Sequence, residues 1–275
     1  MRPARLVTLA VVVWASTFAA AQQAPPLAGI AHVAIRVKNL AASIAFYQSP
    51  GFEQAFDLRK DDVPYESFIK INDHQFIELY PVSPKDPAPA FLHVCFEGND
   101  LEAVHNEYLT HGLTPTAVRK AGAGNMLFTM PGPLQPIGPN YKAIPQNIEY
   151  TQYMPGSLHS NDAGQHLGSD RIGDRLLGVA LAVMDVDGAR MFYINQLSFK
   201  PLPGEQLTMH LPGNSGEEVE IVSPALGEHA RITFQTASLG KSSRHLNHEH
   251  VKFKKTDDML SLTDPDGNEI LVRQR

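Results

Sequence analysis

Two histidines and two glutamates recur at matching places along the chain, and that pairing is the strongest chemical signal in its 275 residues. His32 is the third residue of the apolar run Ile30–Val37 (IAHVAIRV), and His93 is the third of Phe91–Phe96 (FLHVCF). Glu78 lies in FIELY and Glu149 in NIEYT, each in the closing strand of its own unit. Taken singly, each histidine reads as a structural, hydrogen-bonded side chain and each glutamate as a solvent-facing strand residue. Recurrence at equivalent points of two repeats separates them from a chance selection among 12 histidines and 29 acidic residues. Imidazole nitrogen and carboxylate oxygen together suit Zn, Ni, Co, Fe or Mn, and one ligand pair per repeat can close around a pseudo-two-fold axis. The expectation is one divalent metal ion held by His32, Glu78, His93 and Glu149.

Side chains two apart on a strand share a face. Ala34 and Arg36 go with His32, Phe76 and Tyr80 with Glu78, Cys95 and Glu97 with His93, and Asn147 and Thr151 with Glu149. Arg36, Tyr80, Cys95, Asn147 and Thr151 are therefore the candidate substrate-binding residues. Their mixture of aromatic and polar groups suits a small-molecule pocket.

The elements that must position these residues repeat four times. In the first unit, Ile30–Val37 is strand-like, and Asn39–Tyr47 has helical apolar spacing ended by Gly51-Phe52. Strands are predicted over Glu53–Leu58, Ser67–Ile71 and Gln75–Tyr80, completing a βαβββ unit. After the Pro-rich stretch Pro81–Pro89, the second unit has a strand at Phe91–Phe96 and a helix at Asp100–His111. Its later strands are predicted at Thr114–Val118, Asn125–Met130 and Gln146–Tyr153. Pro131–Pro145 reads as a long Pro- and Gly-rich loop, either disordered or a lid. The third unit runs through Leu176–Met184, a helix over Asp187–Leu197, Glu205–Leu211 and Glu217–Val222. The fourth begins at Ala230–Gln235 and ends at Met259–Val272, with Asp264-Pro265-Asp266-Gly267-Asn268 as its hairpin turn. The expected organisation is α+β: modules at 28–82 and 90–154, a polar linker at 155–174, and fainter modules at 175–224 and 229–275.

Residues 1–21 read as a signal peptide. Arg2 and Arg5 precede the apolar run Leu6–Ala15, and Ala19-Ala20-Ala21 offers a cleavage site. The run is short for a span of ~20 apolar residues, so the expected mature protein is secreted or periplasmic, without membrane association. The net charge of −6 has no basic patch, which argues against nucleic acid as a partner. A single cysteine, Cys95, excludes an intramolecular disulfide and reads as a small buried hydrophobe. Four units on one chain can close two pseudo-dimers, so monomer and homodimer both stay open.

The repeats resemble the vicinal-oxygen-chelate superfamily, which includes glyoxalase I, bleomycin-resistance proteins and extradiol dioxygenases. The resembling residues are His32–Val37 with Ser43–Tyr47 (SIAFY), Ile77-Glu78-Leu79, Leu92-His93-Val94 with Asp100-Leu101, and Ile148-Glu149-Tyr150. The 264–268 turn matches the superfamily's closing turn. The resemblance implies paired βαβββ modules forming cup-shaped mixed sheets with the metal inside. The His, Glu, His, Glu set is similar to that of glyoxalase I. It implies a lyase or isomerase in which Zn, Ni or Co chelates two vicinal oxygens of a small hydroxy-carbonyl substrate and stabilises an enediolate. Glu78 or Glu149 would then move the proton. The superfamily leaves two alternatives: an extradiol-type Fe(II) dioxygenase acting on a catechol, and a non-catalytic small-molecule binder. Arg36 keeps the arginine that helps hold glutathione in glyoxalase I, but Val82 stands where an asparagine is expected. Glutathione is also scarce outside the cell.

Aligning the second half on the first places Gly178 at the position of His32, Ile232 at that of His93 and Leu271 at that of Glu149. Only Glu220, opposite Glu78, survives, so the second half should hold no such metal. The cluster His245, His248, Glu249 and His250 lacks the His-Glu-x-x-His spacing and reads as a solvated helix face. Lys120–Asn125 (KAGAGN) lacks a phosphate-loop lysine, Ser157 and Ser160 lack a nucleophile elbow, and His159 and His166 lie in the linker without repeat partners.

Overall fold

The computed structural model describes residues 25–137, 142–227 and 229–275. The signal-peptide segment at 1–21 lies outside them. The first half contains β1 (Leu27–Val37), α1 (Leu40–Gln48), β2 (Glu53–Lys60), β3 (Val63–Asn72) and β4 (Gln75–Pro81). Then come β5 (Ala90–Gly98), α2 (Leu101–Thr110), β6 (Arg119–Lys120), β7 (Met126–Ile137) and β8 (Lys142–Gln152). A short helix α3 (Leu158–Asn161) follows. The second half contains β9 (Arg175–Ala182), α4 (Val186–Asn195), β10 (Lys200–Leu202), β11 (Glu205–His210) and β12 (Glu218–Val222). It continues through β13 (Arg231–Thr236), α5 (Leu239–His248), β14 (Lys254–Lys255), β15 (Met259–Thr263) and β16 (Glu269–Gln274).

Each half forms one eight-stranded mixed sheet, ordered β2-β3-β4-β1-β5-β8-β7-β6 and β10-β11-β12-β9-β13-β16-β15-β14. This is the α+β tandem βαβββ architecture that the repeats predict. In both sheets the opening strands of two modules meet antiparallel at the centre, and each pairs in parallel with its module's closing strand. The four sequence-predicted ligand strands are thus the four central strands of the first sheet. Polar side chains start the helices: Asn39, Asp100, Asp185 and Ser238 each accept a backbone N–H of the first turn. One apolar core, running from Ile30 and Val33 through Phe96 and Tyr150 to Val179, Phe234 and Val272, joins both halves.

Three local expectations fail. Of the expected loop Pro131–Pro145, the described residues 131–137 and 142–145 are strand: β7 and β8 pair antiparallel from Met126–Gln152 to Ile137–Lys142, with a register shift between Pro131 and Leu134. Beyond its two-residue pairing with β6, β7 is an edge strand, where prolines are tolerated because their missing N–H faces no partner. Thr114–Val118 is not a strand. Pro115 removes a donor, and the segment is held to β7 through Thr116 and Thr129 before β6 forms at Arg119–Lys120. The histidine-rich face of α5 is not simply solvated, since His245 Nε2 lies 3.0 Å from the Ser49 carbonyl of the first half. His248, by contrast, is exposed and pairs with Glu249.

The 264–268 turn also joins the halves. The Asp264 carboxylate accepts the N–H groups of Asp266 and Asn268 and the Tyr47 hydroxyl, while Asp266 receives the backbone N–H of Lys38 ahead of α1. Gly267 closes the turn at φ +93°, a conformation that glycine adopts without a Cβ penalty.

Candidate metal centre

Register brings the four predicted ligand positions together. Ala34 of β1 stands opposite Glu78 of β4 and His93 of β5, and Cys95 stands opposite both His32 and Glu149. His32 Nε2 lies 3.1 Å from His93 Nε2 and 3.4 Å from Glu149 Oε1, while His93 Nε2 lies 4.0 Å from Glu149 Oε2. One ligand atom from each of these three residues falls within 4.8 Å of the others. Two ring nitrogens facing each other require a proton or a cation between them. Nitrogens each about 2.1 Å from one ion, at roughly 90–110° to each other, would sit about 3.0–3.4 Å apart. The observed spacing fits that arrangement.

Glu78 joins the cluster from the other side of His32. Its Oε1 is 3.1 Å from Nδ1, the ring nitrogen turned away from His93 and Glu149, although the N–H direction is not aligned for a hydrogen bond. The Tyr80 hydroxyl lies 3.1 Å from Glu78 Oε2 and 2.7 Å from Glu66 Oε1. One hydroxyl carries one proton, so it serves one carboxylate at a time.

The electrostatics call for a cation. Glu66, Glu78 and Glu149 are all buried, and buried carboxylates are paired, protonated or bound to metal. Burial pushes the Glu78 carboxyl well above its usual range, and the Glu66 and Glu149 charges add to the push. Glu66 is raised for the same first reason, despite its bond from Tyr80. Burial is the largest single influence on Glu149 and would raise it, but the contact with His32, the His93 and His32 charges and the Cys95 thiol together outweigh it, and the carboxyl is lowered to about 2. Burial holds His93 down at about 4, leaving its ring neutral and a lone pair free near pH 7. Two neutral-capable imidazoles and a carboxylate form a donor set suited to a divalent transition metal.

The other predicted site residues divide. Tyr80 lines the pocket. Cys95 is buried beneath it, and its thiol is pushed up by burial and then by the Glu149 and Glu78 charges, so it is a packed hydrophobe. Thr151 is buried behind Asn125, whose amide donates to its hydroxyl at 2.6 Å. Asn147 is exposed, outside the cavity. Arg36 points elsewhere: its guanidinium binds the Ala88 carbonyl and Asp86, lining a separate cavity with Gln135 and His229. Strand alternation places Arg36 on the right face, but it stands at the far end of β1.

The pocket also holds residues that the sequence reading passes over. A cavity of about 180 Å³ is lined by Glu66, Glu78, Tyr80, Asn125, Glu149 and His159, with Arg119 among the remaining residues. Glu66 shares a face with Phe68 on β3, and that strand begins at Val63, ahead of its expected start at Ser67. Extending the strand would have found it. His159 comes from the linker, where no periodicity marks it.

Residues 29–136 match the family model described as the Glyoxalase/Bleomycin resistance protein/Dioxygenase superfamily. No curated protein sequence gives a significant match. Among solved structures, the chain is similar to the Mn(II)-bound glyoxalase from Novosphingobium aromaticivorans, at 14% identity and a TM-score of 0.66, covering 90% of this chain and 82% of that one. It is also similar to the 2,3-dioxygenase LapB from Pseudomonas sp. KL28, at 14% identity and TM-score 0.66, covering 92% and 93%. A third neighbour is homoprotocatechuate 2,3-dioxygenase from Arthrobacter globiformis, at 18% identity and TM-score 0.63, covering 92% and 81%. Such identities speak for the fold alone, and it is the first sheet, over residues 29–136, that matches the glyoxalase, bleomycin resistance and dioxygenase superfamily model.

Proposed function

We propose that the protein is a metal-dependent lyase or isomerase acting on a small hydroxy-carbonyl compound, with one divalent cation held by His32, His93 and Glu149. The carrying observation is the division of labour among the carboxylates: Glu149 faces the two imidazole Nε2 atoms, while Glu78 stands behind His32 with its pKa raised. The cation, when bound, supplies Lewis acidity toward two vicinal oxygens of the substrate. Glu78 is the base that takes the proton from the carbon between them, and Tyr80 and Glu66 hold that carboxyl in place. The buried aromatic floor of Phe68 and Phe76 keeps bulk water from competing for the proton. Glu78 can also complete a four-residue ligand set by turning past His32, as the sequence pattern implies.

A second reading has its own support. Two histidines and one carboxylate with open positions also suit a non-haem Fe(II) dioxygenase, and two structural neighbours named above are 2,3-dioxygenases. Metal analysis with two activity assays separates the readings. Zn, Ni, Co or Mn, with exchange of a substrate's carbon-bound proton into D2O, supports the isomerase or lyase. Oxygen uptake stoichiometric with catechol ring cleavage refutes it. Secretion belongs to the same proposal, and N-terminal sequencing of protein recovered outside the cytoplasm would test cleavage after Ala21.

A further inference from the structure

The linker between the two halves delivers a histidine into the metal pocket, and its surroundings give that ring nothing to bond. His159 is 2% exposed, and neither ring nitrogen has a hydrogen-bond partner. Its ring stacks on Tyr153 at 4.3 Å and meets Phe56, Phe68 and Phe76 edge-on at 5.0–5.3 Å. Two unpaired polar atoms in an aromatic box cost free energy unless something polar meets them. The open space beside the ring is the cavity lined by Glu78, Tyr80 and Glu149. Asn125 lines the same cavity and also leaves its buried Oδ1 without a partner.

The placement is enforced. Lys70 on β3 is fully buried, and its Nζ lies 2.7 Å from Asp162 Oδ2 and 2.9 Å from Asp73 Oδ1, while it also donates to the Asp162 carbonyl. Asp162 further binds His166 Nδ1 at 2.6 Å. Asp162 directly follows α3, so this ion-pair cluster fastens the helix that carries His159 to the floor of the first sheet.

We infer that His159 is a substrate-binding residue of this site, its imidazole bonding an oxygen of the small vicinal-oxygen ligand that the cation chelates. The inference rests on the metal reading above. Burial holds the ring down at about 3, so it meets the ligand as a neutral group with one donor and one acceptor. The cavity lies below the ~300–1,000 Å³ of sites for drug-sized ligands, so the ligand is a compound of few heavy atoms.

The probe is acetohydroxamate, a small vicinal-oxygen chelator, titrated into Co(II)-loaded full-length protein and followed by the cobalt visible spectrum. His159→Phe keeps the aromatic packing and removes both nitrogens; His159→Asn restores a donor and an acceptor near Nδ1. His159→Phe should bind Co(II) as the wild type does but hold acetohydroxamate about 10-fold more weakly, as expected for one lost hydrogen bond. His159→Asn should recover part of that loss. A wild-type measurement guards against a variant that does not fold: the ring ¹⁵N resonances of His159 in Zn(II)-loaded protein should move when acetohydroxamate is added. Unchanged chelator affinity in His159→Phe, loss of Co(II) binding in that variant, or unmoved ring resonances would each overturn the inference. Wild-type protein that takes up no Co(II) would instead refute the metal reading, and this inference would fall with it.

Discussion

The two sheets share one topology, yet their central positions hold opposite chemistry. Gly178 faces Thr233 and Ala180 faces Glu220 in the second sheet, just as His32 faces Cys95 and Ala34 faces Glu78 in the first. By that register, the counterpart of His93 is Arg231, since Ala180 pairs with Arg231 where Ala34 pairs with His93. The alignment of runs offered Ile232, one residue off, which would have turned the position into the core. Leu271 stands where Glu149 does, opposite Thr233. In the second sheet the position matched to His93 carries a fixed cation instead of a metal donor: the Arg231 guanidinium lies 3.7 Å from Glu220 and 2.6 Å from Glu269. One βαβββ pair gathers two imidazoles and a carboxylate at its centre; the other sets a guanidinium beside its carboxylates.

The largest expected effect tests the donor side of this contrast. His93→Ala removes one of three clustered donors, and metal content of the purified protein should fall from one equivalent toward zero. A variant that retains a full equivalent would move the metal elsewhere. Next comes Glu78→Gln, which keeps shape and an oxygen but loses basicity. It should keep most of the metal and lose turnover by ~10²–10⁴-fold, together with solvent exchange of the substrate proton. Loss of metal in proportion to activity would make Glu78 a ligand rather than a base.

The fold was legible in the sequence because repetition amplifies weak signals: four faint βαβββ patterns support one another where any single one would be ambiguous. The clustering of the candidate ligands was legible for the same reason, since His32/His93 and Glu78/Glu149 are copies, although Glu78 stands behind His32 and outside the group that His32, His93 and Glu149 form. What was lost lies outside the repeats. Alternation assigns a face but not a depth, so Arg36 and Asn147 lie beyond the pocket. His159 has no copy and no periodic neighbours, and contacts distant in sequence bring it in, the Lys70–Asp162 pair joining residues 92 positions apart and Leu158 donating its N–H to the Ala123 carbonyl. The strands at 131–137 and 142–145 are hidden by their prolines, since proline argues against strands only where the ladder needs its N–H.

The clamp over the first cup sets the third prediction. Asp162→Ala strips Lys70, which has no exposed surface, of its main counter-charge. Asp73, 2.9 Å from the lysine, remains as a half-exposed partner, so the cost should lie below the roughly 3–5 kcal/mol of a wholly uncompensated buried charge but above about 1 kcal/mol, readable as a shift in denaturant midpoint. A change below about 1 kcal/mol would show that water reaches the lysine, and the linker helix would not be fixed as described. The junction between halves gives a smaller, pH-dependent effect. Glu217 binds Arg175, Gln75 and the Ile30 N–H, yet burial raises its carboxyl to about 7. A folded-state pKa above the unfolded value means the native state binds the extra proton. Its stabilising contribution is thus full below about pH 4.5 and is lost as pH rises through 7. Wild-type stability should carry a falling component across that window, on the order of 1–3 kcal/mol, and Glu217→Gln should remove it. An identical pH profile in the variant would assign the titration elsewhere, His74 being the nearby group whose raised pKa gives the same sign.

The smallest effect is the sharpest test of the contrast between the sheets. If Arg231 supplies the positive charge in the second sheet, Glu220 there answers a partly exposed guanidinium and nothing else. Its side chain is 41% exposed and that of Arg231 30%, and ion pairs so open to solvent contribute about 0–1 kcal/mol. Arg231 also keeps its shorter contact to Glu269 when Glu220 is neutralised. Glu220→Gln should therefore change stability by no more than about 0.5 kcal/mol and leave both metal stoichiometry and turnover at wild-type values. The equivalent change at Glu78, the matched position of the first sheet, is expected to be among the most damaging in the molecule. The disparity follows from burial and from what each carboxylate faces, since fold and strand register are shared. A second equivalent of metal that vanishes with Glu220 would show the guanidinium to be displaceable, and the two cups would then differ in affinity rather than in kind.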